Sequence, residues 1–483
     1  MTELVAETLN NRTEKVNNLA ELICNKTGGN PFFLTQLLQA LYQENLLKFD
    51  FSPLEVKGGW DWSIDEIQAI GITDKSVVEL VASRIEQLPA ATQEVLKLAA
   101  CVGDKFALDV LSLVSEKSAN ATATELYSAL QAGLILPLSD AYRIPLVFDK
   151  SESINLKLDT SRVSYKFLHD RVQQAAYSLI PEHQKQSTHL KIGQLLLQNT
   201  PSNKLEENIF DIVNQLNVGI DTISQPAEKI ELAKLNLMAG RKAKAANAYE
   251  AAVRYLRVAM ELLPADCWQS QYQLTLAIYE STAEAEYLNI NYEVSKQLVN
   301  IVLLQAKNLL NKVNVYELQI QSYTVQNRVF EAVNTGLEVL KLLGIYFPQN
   351  PNLLNILVEL INTKLRLGLK GIEDLANLPE MTDSNKQAAM RILSGILGTA
   401  MAVKPRLLPL LVLMMVKLSV KYGNSPYASV AYVFYGAILC GIGNISLGYQ
   451  FGQLAIRLLD KFPSSSIKSI VYLMLIPIFY EAA

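Results

Sequence analysis

The chain has 483 residues, of which 50% are apolar and 19% are charged, and this apolar content excludes wholesale disorder. A formal charge of −4 gives the chain no global attraction to nucleic acid or to anionic lipid. The four cysteines form no disulfide or zinc pattern, and the N-terminus carries acidic residues where a signal peptide needs basic ones. We therefore expect a mostly helical cytoplasmic protein.

The first stretch of the chain predicts two helices joined by a tight turn. Thr13 is the expected N-cap of the first helix, and the glycine pair 28–29 ends it. Asn30 then caps a second helix that has Pro31 at its first position. Residues 50–63 read as an irregular connection or a short hairpin.

The next stretch changes from helices to strands. Helical periodicity fits four segments in succession, namely 75–87, 91–101, 107–116 and 121–132. A short apolar run at 133–138 and an alternating run at 163–168 then predict two strands, separated by a polar stretch. Helices followed by a two-stranded ribbon predict a winged helix, after which Asp170 is the expected cap of the next helix.

Helix pairs continue from there almost to the last residue. Residues 239–264 place small residues, tyrosines and a terminal proline as a tetratricopeptide-like repeat does, and looser echoes occur at 287–310, 323–348 and 427–463. We predict an α-solenoid of degenerate tetratricopeptide-like helix pairs.

The uncharged stretch 422–456 permits two interpretations. Its length is marginal for a membrane span, which needs about 20 apolar residues, and polar side chains recur along it. We favour a buried solenoid hairpin with helices near 425–440 and 445–460, in which Gly436 and Gly452 allow close backbone approach.

The sequence offers little material for catalysis. It contains no GxxxxGK[ST] loop, no kinase motif set, no GxSxG and no HExxH, and it has three histidines. We predict no catalytic residue and no metal site. The helix at 121–132 carries no Lys or Arg to contact phosphates, so we expect no nucleic-acid binding.

Two short motifs stand out from this background. The first is KTGGNPFFL at 26–34 and the second is YKFLHDRVQQAAYSLIP at 165–181. On periodicity alone, a capped turn and a capped helix explain both. Their combination with a winged-helix pattern and a solenoid resembles the STAND class of signalling ATPases, in particular the predicted-ATPase module of cyanobacterial-type proteins with Ser/Thr kinase and histidine kinase domains. Segments 338–344, 418–425 and 448–455 extend the resemblance over nearly the whole chain.

The resemblance implies a nucleotide site and a domain order. Pro31 matches the proline that packs on adenine and His169 matches the histidine that reaches the β-phosphate of ADP, with Asn30 and Asp170 beside them. It implies a lid part at 1–72, a winged-helix domain at 73–182 and an incomplete solenoid at 183–483. Because the Walker motifs are absent, we expect an internal fragment that by itself binds ATP or ADP weakly or not at all and hydrolyses neither.

Three functions follow as hypotheses. The preferred one is a regulatory and protein-interaction segment of a large signalling kinase, whose solenoid contacts other domains or signalling proteins. The alternatives are a stand-alone solenoid scaffold and a STAND-type transcriptional regulator. We expect no membrane association, and self-association is expected if the last helix pair exposes an apolar face.

Overall fold

The computed structural model describes residues 2–50, 59–69, 76–143, 163–368 and 371–482. The chain divides into two compact units, Met1–Leu232 and Ala233–Ala483. Both units are mainly α-helical, as the sequence predicts. The domain borders expected near residues 72 and 182 lie inside the first unit, and the three-domain division stays a prediction.

The described elements of the first unit follow one another along the chain. They are α1 (Thr2–Thr8), α2 (Thr13–Thr27), α3 (Pro31–Gln43), β1 (Leu47–Asp50), β2 (Gly59–Trp62), α4 (Ile64–Ala69), α5 (Val77–Glu86), α6 (Ala90–Val102), β3 (Lys105–Ala107), α7 (Leu108–Val114), α8 (Ala119–Gln131), β4 (Ile135–Pro137), β5 (Ser164–Phe167), α9 (Asp170–Ser178), α10 (Glu182–Asn199) and α11 (Ile209–Val218). Short 3₁₀ helices occur at Asp140–Arg143, Ser202–Lys204 and Ile220–Thr222.

The N-terminal helices and hairpin form a small core of their own. α2 ends at Gly28, which has a φ of 57°, a left-handed conformation that glycine adopts without strain. The prediction for Thr13 is wrong by one residue, because the N-cap is Arg12 and no side chain caps the helix. The segment 50–63 contributes the antiparallel pairing of β1 with β2, while residues 51–58 lie outside the described residues.

A three-helix and three-strand arrangement follows. β3 and β4 both pair antiparallel with β5, which gives the sheet order β3-β5-β4. Helix α6, strand β3, helices α7 and α8, and strands β4 and β5 follow one another along the chain, and the winged helix stays a prediction. The expected two-stranded ribbon is corrected to three strands. β3 has three residues, too few for alternation to be visible in the sequence.

The second unit consists of helices packed in successive pairs. Beginning with α12, which crosses the boundary between the units, they are α12 (Pro226–Ala245), α13 (Tyr249–Glu261), α14 (Cys267–Ser270), α15 (Tyr272–Leu288), α16 (Tyr292–Gln305), α17 (Leu309–Val325), α18 (Val329–Leu342), α19 (Leu353–Leu367), α20 (Ile372–Ala376), α21 (Ser384–Val403), α22 (Leu408–Tyr422), α23 (Ala428–Gly441), α24 (Ile445–Lys461) and α25 (Ser465–Ala482).

The uncharged stretch forms the hairpin of α23 and α24, close to the predicted bounds. The two helices touch at Gly448, where an added Cβ would lie 2.7 Å from the carbonyl oxygen of Gly436. Phe451 packs against Tyr435, with ring centroids 4.9 Å apart. No helix that the structure describes is long and apolar enough to cross a membrane.

Candidate functional site

The first motif forms the turn that starts α3. Gly28 and Gly29 both have positive φ, and Asn30 Oδ1 accepts a hydrogen bond from the Phe33 N–H at 3.4 Å. This bond confirms the capping role expected of Asn30. Pro31 occupies the first helical position and is exposed, so its ring is available to a ligand.

Pro31 lies at the mouth of an apolar cleft of about 430 Å³. Leucines of α1 and α3 line the cleft together with Tyr42 and Trp60, whose rings meet edge to face at 5.5 Å. A concave surface of this size with mostly apolar walls suits a flat ring system. The geometry is therefore compatible with the adenine contact expected at Pro31.

The second motif forms the junction between β5 and α9. The sequence predicts Asp170 as the helix cap, and the structure corrects this: His169 is the N-cap and Asp170 is the exposed first residue of the helix. The Arg171 N–H donates to His169 Nδ1 at 3.1 Å. A neutral imidazole that accepts at Nδ1 carries its proton on Nε2. His169 is thus held as an Nε2 donor at the N-terminus of a helix, where anions are favoured.

The fold brings these two motifs together. The rings of Phe33 and His169 lie 5.5 Å apart at an angle of 59°. Pro31 and Phe33 are two residues apart on one helix, which points their side chains in roughly opposite directions. Accordingly, His169 is not among the described residues that line the Pro31 cleft. The two residues expected to contact nucleotide therefore lie on opposite sides of α3, with Pro31 at the cleft and His169 beside Phe33.

A partly buried arginine joins α3 to the helices that follow it in the first unit. Arg84 of α5 donates to Gln36 Oε1 of α3 and, at 3.1 Å, to the carbonyl oxygen of Ala132 beyond α8. Burial lowers the pKa of Arg84 from its usual value. Arg84 could not be singled out from the sequence, because a basic residue in the last turn of a helix usually only stabilises the C-terminus of that helix.

A second polar cluster joins four helices of the first unit. His189 Nδ1 lies 2.6 Å from Gln215 Oε1, and His189 Nε2 lies 3.1 Å from the Tyr177 hydroxyl. Gln215 Nε2 donates to the Cys101 carbonyl at 2.8 Å, which orients its Oε1 toward the histidine. His189 therefore donates through Nδ1 and accepts from Tyr177. Burial lowers the pKa of His189, while the hydrogen bond with Gln215 raises it and offsets part of that shift.

The second unit carries a polar cleft of about 320 Å³ between α12, α15 and α17. Arg241 Nε lies 3.2 Å from Ser281 Oγ, and Lys244 pairs with Glu284. Glu317 Oε1 lies 3.1 Å from Arg391 Nε, and burial raises the pKa of Glu317 to about 7. We name these residues, together with Glu280, the charged groove.

Glu280 is an incompletely satisfied member of the charged groove. Burial raises the pKa of its carboxyl, while a hydrogen bond from Asn314 and the charge of Arg241 lower it. Its Oε1 is buried without a hydrogen-bond partner. A buried acceptor without a hydrogen-bond partner is energetically costly. No cluster of His, Cys, Asp and Glu suited to a metal ion occurs within the described residues.

Comparison with known proteins gives one clear sequence relative. The chain is 27% identical over 521 aligned residues to the Hybrid signal transduction histidine kinase G of Dictyostelium discoideum. The match includes 95% of this chain and 15% of that protein, so the chain corresponds to a small part of its relative's length. No protein-family model matches the chain.

One solved structure aligns along most of the chain. It is the crystal structure of PH0952 from Pyrococcus horikoshii, described as a STAND protein with a tetratricopeptide repeat sensor. The alignment covers 94% of this chain and 57% of that one, at 12% identity and a TM-score of 0.37.

Proposed function

We propose that this chain is a regulatory and protein-interaction segment of a signal-transduction kinase that contains a STAND-type ATPase module. The observation that carries the proposal is the similarity of 95% of the chain to part of a signal-transduction histidine kinase. In the proposed parent, the first unit senses bound nucleotide and the solenoid passes its state to an effector. Ser/Thr kinase and histidine kinase domains would lie elsewhere in that protein.

The proposed nucleotide contacts are Asn30, Pro31, His169 and Asp170. Asn30 shapes the turn that presents Pro31 to the base, and His169 donates from Nε2 to a phosphate oxygen. Asp170 begins the helix whose N-terminus adds a favourable potential for that anion. The phosphate cradle must come from elsewhere, because the chain contains no GxxxxGK[ST] loop. ATP or ADP is therefore a ligand of the assembled module.

The proposed output surface is the charged groove of the second unit. It presents both cations and carboxylates, which suits polar segments of other domains or of signalling proteins. Self-association through the last helix is also proposed, since α25 leaves several apolar side chains exposed, namely Ile470, Tyr472, Leu473 and Ile476.

The alternatives differ in what they require. A stand-alone scaffold needs only the second unit and gives no role to the Phe33–His169 contact. A transcriptional regulator needs a basic helix for DNA, yet α8 has no Lys or Arg, and its Glu125 pairs with Lys117. The regulatory segment uses both units and remains our proposal.

Two experiments test the proposal. Sequencing the DNA upstream of the first codon should reveal a continuous frame with a GxxxxGK[ST] loop and a kinase domain; its absence argues for the scaffold. Titration of the chain itself with a fluorescent ATP analogue should show no saturation at low micromolar concentration. Tight binding by this chain alone would contradict the division of the site that we propose.

A further inference from the structure

Helix α19 is attached to the second unit by one of its faces. Leu360, Thr363 and Leu367 point inward, toward the neighbouring helix α22. An ion pair of 2.5 Å between Glu359 Oε2 and Lys417 Nζ adds a polar tie between the same two helices. The orientation of α19 is thus defined by its inner face.

The outer face of α19 is apolar and exposed. Six residues, each between 48% and 74% exposed, form a continuous stripe there, and they are Leu353, Leu354, Leu357, Val358, Ile361 and Leu365. A contiguous exposed apolar surface on a protein often marks an interaction site. We call this surface the α19 stripe.

A cavity of about 270 Å³ lies beside the α19 stripe. Tyr346 and Phe347 form one wall, Leu354 and Val358 the second, and Met414 of α22 closes it. Tyr346 is itself 71% exposed. The stripe therefore has an adjacent pocket large enough to accept an apolar anchor side chain from a partner.

The two charged side chains of α19 that form no described ion pair are both positive. Lys364 and Arg366 flank Leu365 at the C-terminal end of the helix, and both are exposed. No described carboxylate lies within ion-pair distance of either residue. The acidic residue of α19, Glu359, is already paired with Lys417. A partner gains electrostatic complementarity by placing acidic residues against this end.

We propose that the α19 stripe is a docking surface for an acidic amphipathic helix of another protein. Its apolar residues, spaced at i, i+3, i+4 and i+7, pack along the stripe, and one of them enters the cavity beside Phe347. Its acidic residues pair with Lys364 and Arg366. A second copy of this chain fits poorly, since the unpaired charges of α19 are both positive. This interaction is independent of the nucleotide role proposed for the first unit.

Fluorescence anisotropy with the full chain tests the proposal. The probe is a labelled amphipathic peptide of about 18 residues with leucines on one face and glutamates on the other. Ile361→Glu, on the outer face, should weaken binding at least about tenfold. Leu304→Glu is the matched control, because Leu304 is 83% exposed on α16, outside the stripe. Equal binding by both variants would overturn the proposal.

Charge and alternative occupants give further decisive outcomes. The double variant K364E/R366E should bind a lysine version of the peptide better than the glutamate version. If the double variant still prefers the glutamate peptide, Lys364 and Arg366 do not select an acidic partner, and the proposal is wrong. Cosedimentation with phosphatidylserine vesicles that Ile361→Glu abolishes would identify a membrane surface instead. A dimer in analytical ultracentrifugation that Ile361→Glu dissociates would identify a second copy, and either result overturns the proposal.

Discussion

Two polar clusters among the described residues are built on different principles. In the first unit, His189 uses both ring nitrogens, with Gln215 and Tyr177 as partners, and Gln215 is satisfied in turn by Cys101. In the charged groove of the second unit, Glu280 Oε1 has no partner, and burial raises the pKa of Glu317. A saturated cluster holds helices together, whereas an incompletely satisfied one is available for a ligand.

The largest expected effect is the loss of the His189 cluster. His189→Ala leaves Gln215 Oε1 and the Tyr177 hydroxyl without their partner inside the unit and opens a cavity. We expect the free energy of unfolding to fall by about 3 kcal/mol, measured by urea denaturation at pH 7.5. His183→Ala is the control, since His183 is exposed on the same helix, and it should change stability by less than about 0.5 kcal/mol.

The pH dependence of the His189 effect has a definite sign. Burial lowers the pKa of His189 in the folded state, so the stability it contributes is complete above about pH 6.5 and decreases as the pH falls below that. The difference between wild type and His189→Ala should therefore shrink in acid. A difference that grew in acid would mean that the cluster binds a charged imidazole.

Glu317 should show the opposite pH dependence. Its effect on the free energy of unfolding should be smaller than that of His189→Ala and larger than that of Glu280→Gln. Its pKa is about 7 when folded, against an ordinary value of 4.5. The folded state therefore holds an extra proton between these values, and its stability falls as the pH rises through them. Glu317→Gln removes this loss, and we expect it to stabilise the chain by about 2 kcal/mol at pH 8 and hardly at all at pH 4.

The control for Glu317 is another glutamate of the same groove. Glu284 is paired with Lys244 on a more exposed surface. At pH 8, where Glu317→Gln should stabilise the chain, Glu284→Gln should not, because it removes the ion pair with Lys244. If the pH dependence of unfolding were the same for Glu317→Gln and wild type, Glu317 would not be the titrating group.

The smallest effect is expected at Glu280. Its pKa is raised by burial but is also lowered by Asn314 and Arg241, and the residue is only partly buried. Glu280→Gln should stabilise the chain at pH 8 by less than half as much as Glu317→Gln does. A larger effect than that of Glu317→Gln would show that Glu280 on α15, and not Glu317 on α17, is the less satisfied carboxylate of the groove.

Helices and their faces could be predicted from the sequence because they depend on local periodicity. The hairpin of α23 and α24 lies within a few residues of its predicted bounds. Capping was less predictable. Aspartate often caps helices, yet the backbone at the end of β5 places His169, and not Asp170, at the N-cap position.

Contacts between distant segments could not be predicted. The sequence singles out the motifs of Phe33 and His169 but contains no local signal that their rings meet. The same holds for Arg84, whose partners lie on α3 and beyond α8. For the α19 stripe, periodicity identifies an amphipathic helix, but it does not indicate that no other element covers the apolar face of that helix.

The most direct test of the proposed nucleotide role measures ADP release from the proposed parent protein, in which a nucleotide-binding domain would accompany this chain. Stopped-flow displacement of a fluorescent ADP should be several-fold faster in His169→Ala than in wild type, because a phosphate contact is lost. His183→Ala should release ADP at the wild-type rate. If His169→Ala lowers the melting temperature and leaves the ADP off-rate unchanged, His169 is a structural cap and the proposed nucleotide contact is wrong.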